Sequence, residues 1–555
     1  MKTKLALSSL ALALASPPGA AQCELGELRA ADGGVDDRLG SPVCLRAGVL
    51  LTGASGADGA QPLSGAAYVF ERGPEGWLQT AKLAGSDGRP ETCLGVSVAL
   101  LDGTALVGDQ CQGDATVIPH QGSVYVFERS GTDWVEAGQL FASDPGRDDW
   151  FGGALAASGT RALIGALGND VRGAESGSAY VFERGATAWS QTQQLIGSST
   201  GAGDRFGTSV AIDADVAVVG ADGDDDGGLG AGAVYVFEHV GASWAETRKL
   251  VAADAGAGQR FGSAVSLQGE RMLVGAPLGQ GGTTSSGAAY VFERVAGIWL
   301  ETAKLAADDG ADLDAFGVGV ALEGERAAIG AFQAGGAGAV YLFELDGATW
   351  RQLAKLTAAD AEAGDAFGLA VDLGGATLAV GAPGDGAPPG SGSLRLFAVP
   401  RLGDGYCYGS GCPCGNDSAS GGCASSTGAG ARMRGCGSAS VTADDLVLRI
   451  DGLPARQLGL FFMGAARIRV PFGDGQRCVG AGGAGIQRFL AAQSSGPEGV
   501  LILGPGIARR SLAFPVPGRI DPGETWSFQG WYRDAAGPCG SGFNLSNAVA
   551  VTFAP

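Results

Sequence analysis

The chain has 555 residues, 99 of them glycine, with 17% charged residues and a formal net charge of −21 at pH 7. That length has room for more than one domain, and so much glycine with so little charge suits many short strands and turns rather than disorder. The acidic balance excludes a nucleic-acid binder, whose affinity rests on basic contacts to phosphate, and no run after the N-terminus reaches the roughly 18 apolar residues of a membrane span.

Met1-Lys2-Thr3-Lys4 gives a basic start, Leu5 to Ala15 a short apolar core, and Gly19-Ala20-Ala21 a small-residue cleavage site. Residues 1–21 therefore read as a signal peptide cut before Gln22, which predicts a secreted, extracellular or cell-surface chain. Gln22 stands where lipid-attachment motifs want a small residue, so Cys23 is not read as a lipidation site.

Seven repeats follow. Their leading glycines are Gly40, Gly95, Gly152, Gly207, Gly262, Gly317 and Gly368, at spacings of 55, 57, 55, 55, 55 and 51. Thirteen residues after each comes a second glycine, then a Tyr-Val-Phe-Glu-like strand. A strand-rich unit of that period predicts a β-propeller rather than a helical solenoid. In the fourth unit, Thr208–Ile212 and Val216–Gly220 flank the turn Asp213-Ala214, and Ala233–Glu238 and Trp244–Leu250 supply two more strands. Four antiparallel strands make one blade. The seventh unit stops after Ser393–Phe397, whereas Glu24–Leu28 upstream of the first matches a fourth strand, so the N-terminus is expected to close the last blade and remove an open edge.

Phe206-Gly207 with Gly220-Ala221, Phe261-Gly262 with Gly275-Ala276-Pro277, and Phe367-Gly368 with Gly381-Ala382-Pro383 resemble FG-GAP repeats, the blades of the integrin α-chain propeller and of many bacterial secreted proteins. The resemblance covers residues 22–399 and implies an all-β, seven-bladed propeller. Leu39 and Leu94 depart from it at the phenylalanine position and Asp109 at the alanine. Calcium-binding members carry an Asp-x-Asp-x-Asp-Gly loop between the two motif strands. Here a tight turn fills that interval, without room for the six to eight oxygens, roughly, that calcium takes. Calcium is not expected at the family's usual loops, and Asp222, Asp224, Asp225 and Asp226 are read as a solvated Asp/Gly turn.

The loops joining second to third strands, and one blade to the next, emerge on one face and carry Asp148, Asp149, Asp222, Asp254, Asp309 and Asp365 among others. That face reads either as a recruiter of basic partners or divalent cations or as ordinary Asp turn chemistry. The opposite face carries the hairpin turns, with Arg72, Arg129, Arg184 and Arg294 at equivalent positions.

The repeat ends near Pro400. Residues 400–440 form a Cys-rich linker region with Cys407, Cys412, Cys414, Cys423 and Cys436, and residues 441–555, with Cys478 and Cys539, a C-terminal β-domain. An exported chain without histidine here points to disulfides rather than zinc, with one of the seven cysteines left over. Stretches at 446–450, 459–463, 500–503, 511–514, 526–532 and 549–553 predict a small β-sandwich. Phe472-Gly473-Asp474-Gly475 and Gln529–Asp534 resemble a C-terminal domain of large secreted bacterial proteins. In the propeller, Cys93 and Cys111 are equally far from the turn Asp102-Gly103 and are expected to bond, with Cys23 and Cys44 as a second pair.

No catalytic constellation emerges, and no cofactor is called for. His239 stands where sister blades have arginine and reads as an exposed turn residue; His120 precedes a third strand with no acidic or nucleophilic pattern around it. Gly197-Ser198-Ser199-Thr200-Gly201 lies in an interblade loop, without the strand-turn-helix of a nucleophile elbow. The expected function is a non-enzymatic binding or structural protein meeting an extracellular protein or glycan. The competing expectation is a secreted carbohydrate-active or other hydrolase using the propeller funnel.

Overall fold

The computed structural model describes residues 24–554 except 74–75, 88–91, 114–117, 187, 282–284, 376, 400–404, 419–420, 437–439, 443, 445 and 498. Residues 1–23, with the stretch expected to be a signal peptide and Cys23, lie outside the described residues.

Seven four-stranded antiparallel sheets follow one another. In blade four the strands are Phe206–Asp213, Val216–Ala221, Ala233–Val240 and Ser243–Leu250, hydrogen-bonded in that order. Asp213 pairs with Val216 across the turn Ala214-Asp215, where Ala214 adopts φ +50°. The second and third strands read as apolar runs because a neighbouring blade covers each face. Leu163, Ala179 and Val181 of blade three meet Val219, Tyr235 and Phe237 of blade four in one buried cluster, and a cluster of this kind lies between every pair of successive blades, including the last and the first.

The repeated glycines mark where blade backbones touch. Gly207 has φ +96°, and a Cβ there would sit 2.4 Å from the Ser178 carbonyl oxygen; a Cβ on Gly165 of the preceding blade would sit 2.1 Å from the Gly207 carbonyl. No side chain fits between them. The phenylalanine before the glycine fills the adjoining core. Phe206 is fully buried, with its ring edge-on to Tyr235 at 5.3 Å and to Phe237 at 6.0 Å. Leu39 and Leu94 occupy the same buried position in blades one and two.

The ring closes as expected. Glu24–Leu28 pairs antiparallel with Ser393–Ala398, with Gly26 opposite Leu396, Glu27 opposite Arg395 and Leu28 opposite Leu394. The Cys93–Cys111 disulfide forms across the first hairpin of blade two, with a Cα separation of 5.4 Å. Cys23, the partner expected for Cys44, lies outside the described residues; among them, Cys44 carries a free thiol. It packs against the core between blades one and two, where burial, together with the Asp372 carboxylate, pushes its pKa up to about 12.

Beyond the ring, a five-stranded sheet runs in the order Gly405–Tyr406, Phe543–Thr552, Thr525–Arg533, Leu458–Gly464, Gln487–Ser494. A three-stranded sheet comprises Arg432–Cys436, Val447–Asp451 and Leu501–Leu503. Met433, Ile450 and Leu503 from the smaller sheet pack against Phe461, Trp526, Phe528 and Val551 from the larger in one core, the two-layer arrangement of a sandwich. The strand expected at Ser511–Phe514 is instead the end of a short helix, Ile507–Ser511. Its first turn is fixed by Asp444, whose carboxylate accepts hydrogen bonds from the Ala508 and Arg509 amides at 2.7 and 2.9 Å. The cysteines pair as Cys407–Cys478, Cys412–Cys423 and Cys414–Cys539. The side chain of Cys436 is outside the described residues.

Candidate binding face

The acidic loop face is largely neutralised from within. In five blades the third-strand tyrosine donates to an aspartate of the preceding interblade loop: Tyr68 to Asp32 (3.0 Å), Tyr125 to Asp87 (2.6 Å), Tyr180 to Asp144 (2.9 Å), Tyr290 to Asp254 (2.8 Å) and Tyr341 to Asp309 (2.9 Å). A lysine opposite the tyrosine on the fourth strand completes the group in blades one, five and six, with Lys82, Lys304 and Lys355 each 2.6 to 2.7 Å from the same aspartate. Burial raises the carboxyl pKa of Asp32, Asp254 and Asp309, but the lysine and tyrosine hydrogen bonds outweigh it and hold all three below the usual range. These acids staple blade to blade.

Blade four breaks the pattern, and its Asp-rich loop is the consequence. Ser199 stands where the sister loops have aspartate. Asp224 replaces the missing carboxylate, accepting from the Tyr235 hydroxyl at 2.8 Å and from Lys249 Nζ at 2.6 Å, while Ser199 Oγ lies 3.0 Å from that hydroxyl. The loop is therefore a solvated turn only in part: Asp224 is 1% exposed and Asp222 8%, while Asp225 and Asp226 are exposed. Asp225 accepts from the Gly230 amide at 2.7 Å. Among the described residues no three His, Cys, Asp or Glu side chains gather as a metal site.

Blade seven inverts the polarity. Arg395 takes the tyrosine's place and Glu27 the lysine's in the same register. The Arg395 side chain is 5% exposed and lies 2.7 Å from Asp360, 3.1 Å from Glu24, 3.3 Å from Asp385 and 3.4 Å from Glu27. Burial lowers the guanidinium pKa, and the hydrogen bonds it donates to Asp360 and Glu24 reverse that and raise it.

On the hairpin face the arginines couple neighbouring blades: Arg129 pairs with Glu71, Arg184 with Glu128 and Arg294 with Glu238, at 2.6 to 2.9 Å. His239 is not an exposed turn residue, since its side chain is 18% exposed and its ring lies 5.1 Å from that of Trp244 and 3.2 Å from Arg161 Nη2. His120 does have an acidic neighbour, contrary to the sequence reading: the interblade loop brings Asp148 to 2.8 Å. Ser198 donates to Glu246 at 2.6 Å, and the Thr200 hydroxyl caps its own loop on the Gly197 carbonyl.

Two hollows open on the loop face. One, about 600 Å³, lies at blade three and is lined by Asp144, Asp148, Asp149, Trp150, Asp170 and Val171 among others. The next, about 410 Å³, lies at blade four between Arg205, Asp222, Asp225, Leu229 and Arg260. An ion pair between Arg205 and Glu175, at 3.2 Å, separates them. Sequence reading missed the second hollow, although a signal was present. The residue after the Gly-Ala step is Ser55, Gln110, Leu167, Asp222, Pro277, Phe332 and Pro383 in the seven units, and only one of these is charged.

The family model described as FG-GAP repeat matches residues 24–70, 77–127, 134–182, 189–237, 244–292, 299–343 and 350–397, about three-fifths of the chain. No curated protein matches.

Proposed function

Because the chain belongs to the FG-GAP repeat family, we propose that it is a secreted, non-enzymatic protein whose propeller binds an extracellular protein or glycan through the loop face. One observation carries this reading. Polar residues that recur from blade to blade are bonded to the scaffold, and each loop-face hollow adds to such residues one that no sister blade has at its position, Trp150 in blade three and Asp222 in blade four. Variable loops on a rigid frame are where binding residues collect, and the hollows fall within the roughly 300–1,000 Å³ of ligand pockets. Three disulfides in the Cys-rich region and one in the ring fit an oxidising compartment. The test is a protein and glycan array probed with the full chain lacking residues 1–21. Saturable binding by a defined class is expected. Turnover of an arrayed glycan, or no binding at all, refutes the reading.

A further inference from the structure

The blade-four hollow holds a feature that the scaffold does not use. Asp222 lines it at 8% exposure, and its Oδ1 is buried without a hydrogen-bond partner among the described residues. Leaving a buried acceptor unpaired costs the fold its desolvation. No sister blade has a carboxylate here, so the fold itself does not require one. The position is the mark of a residue kept for something outside the chain.

The surroundings narrow the choice of ligand. Arg260 is exposed and its guanidinium has no ion pair among the described residues, and Arg205 reaches the same hollow while paired to Glu175. Burial raises the Asp222 pKa, and the charges of Arg260 and Arg205 oppose that rise. Two guanidiniums repel a metal ion, and the carboxylates of Asp222 and Asp225 repel an anion. What remains is a neutral group that donates to a carboxylate and accepts from a guanidinium at neighbouring points. A pair of ring hydroxyls does both, since each hydroxyl carries one donor and two acceptor lone pairs. Leu229, 77% exposed at the rim, offers an apolar surface to the C–H face of such a ring. Gly203, Gly230 and Gly258 line the rest, and a ligand approaches their backbone without meeting a side chain.

We propose that the hollow bounded by Arg205, Asp222, Leu229 and Arg260 is a binding subsite for one residue of a neutral glycan. Asp222 accepts from one hydroxyl and Arg260 donates to its neighbour. The proposal rests on the reading of the chain as an extracellular binding protein and specifies the ligand class and the place.

The test uses the full chain lacking residues 1–21 on an array carrying neutral, sialylated and sulfated oligosaccharides, free amino-acid conjugates and proteins. Titration with the methyl glycosides of glucose, galactose and mannose, read by saturation-transfer NMR, follows. Neutral-glycan binding is expected, weakened about 10- to 100-fold by Asp222→Asn, the effect of losing a hydrogen bond to a charged group, and weakened also by Arg260→Ala. Asp222→Asn is expected to melt at or above the parent temperature, because it removes a desolvated carboxylate that the fold leaves unpaired. A lowered melting temperature marks Asp222 as structural and overturns the proposal. So does neutral-glycan binding that survives both substitutions, or binding confined to charged glycans, amino acids or proteins. Those binding results leave the broader reading standing. An array with no signal from any class overturns both.

Discussion

Arg395→Tyr, alone and together with Glu27→Lys, tests how the ring is sealed. In six blades the third strand carries tyrosine at this register and the fourth strand lysine or glutamine; blade seven carries Arg395 opposite Glu27. The single change takes Arg395, 5% exposed, away from Glu24 and Asp360 and leaves Arg29 as the one described cation paired with Glu27 and Asp385. Removing one partner from a buried ion cluster costs about 3–5 kcal/mol; the carboxylates left here have side chains 15–59% exposed, which puts the loss at the low end, about 3 kcal/mol. The roughly 375 residues from Glu24 to Ala398 carry an unfolding entropy of ~0.8 kcal/mol/K at about 2.1 cal/mol/K per residue. The single variant should thus melt ~4 °C lower. The double variant rebuilds the tyrosine, aspartate and lysine of blades one, five and six, and should recover at least about half of the loss. Arg129→Ala, which breaks a pair with side-chain exposures of 36% and 23%, is the control and should cost at most about 1 kcal/mol. Melting curves by circular dichroism, with gel filtration to detect association through an opened edge, give the readout. A double variant as unstable as the single changes added together, or an Arg395→Tyr no worse than the control, refutes this account of closure.

Three further outcomes follow from the same geometry. Asp109 is 1% exposed, and burial, which the Cys93 amide only partly offsets, raises its pKa from 3.8 to about 6. Between these values the folded state binds a proton that the unfolded state has released, so stability falls as pH rises from about 4 to 6, by about 3 kcal/mol from this group. Asp109→Asn should flatten that part of a stability-against-pH curve and stabilise the chain at pH 7; an unchanged curve counts against the assignment. Tyr290→Phe and Tyr341→Phe remove equivalent hydrogen bonds to Asp254 and Asp309, and each should lower stability in urea titration by about 1 kcal/mol. Unequal losses would show that the staples are not equivalent. Calcium at about a thousandfold over a micromolar Kd would add about 4 kcal/mol, roughly 5 °C here; because Asp224 is already held by Tyr235 and Lys249, a shift under about 1 °C is expected, and a shift near 5 °C contradicts this.

The propeller was legible because its determinants are backbone constraints repeated seven times. Gly165 and Gly207 are required by the contact of two backbones, and a requirement of that kind leaves the same letter in every unit. Closure by Glu24–Leu28 could be read from the missing fourth strand. The C-terminal domain offers no such redundancy. There the hairpin Ala466–Phe472 with Gly475–Gly480 and the strand Gln487–Ser494 went unrecognised, since Arg467, Arg469, Arg477 and Arg488 blur the apolar alternation. The helix at Ile507–Ser511 depends on Asp444, more than sixty residues away, beyond the reach of local pattern. The Asp222–Asp226 loop was misread in part because its composition is that of a solvated turn; the position of Asp224 is buried in sister blades too, at Ala57, Gln112 and Asn169, and the loss of aspartate at Ser199 explains why a carboxylate serves there. Asp222 itself was visible, given a column-by-column comparison of the repeats.

The closing strand also sets an order of events. Glu24 reaches Arg395 across 371 positions, whereas a bond between third and fourth strands within a blade spans 11. That is about five doublings of loop length, or ~3 kcal/mol of additional chain entropy at about 0.6 kcal/mol per doubling. The segment synthesised first is therefore the last to find its place, and until the seventh blade exists it has nothing to pair with. The nascent ring stays an open arc with two sticky ends for the whole of its production, and the carboxylates gathered around Arg395 act as its latch. In pulsed hydrogen exchange during refolding, the amides of Gly26 and Leu28 should gain protection after those of blades two to six.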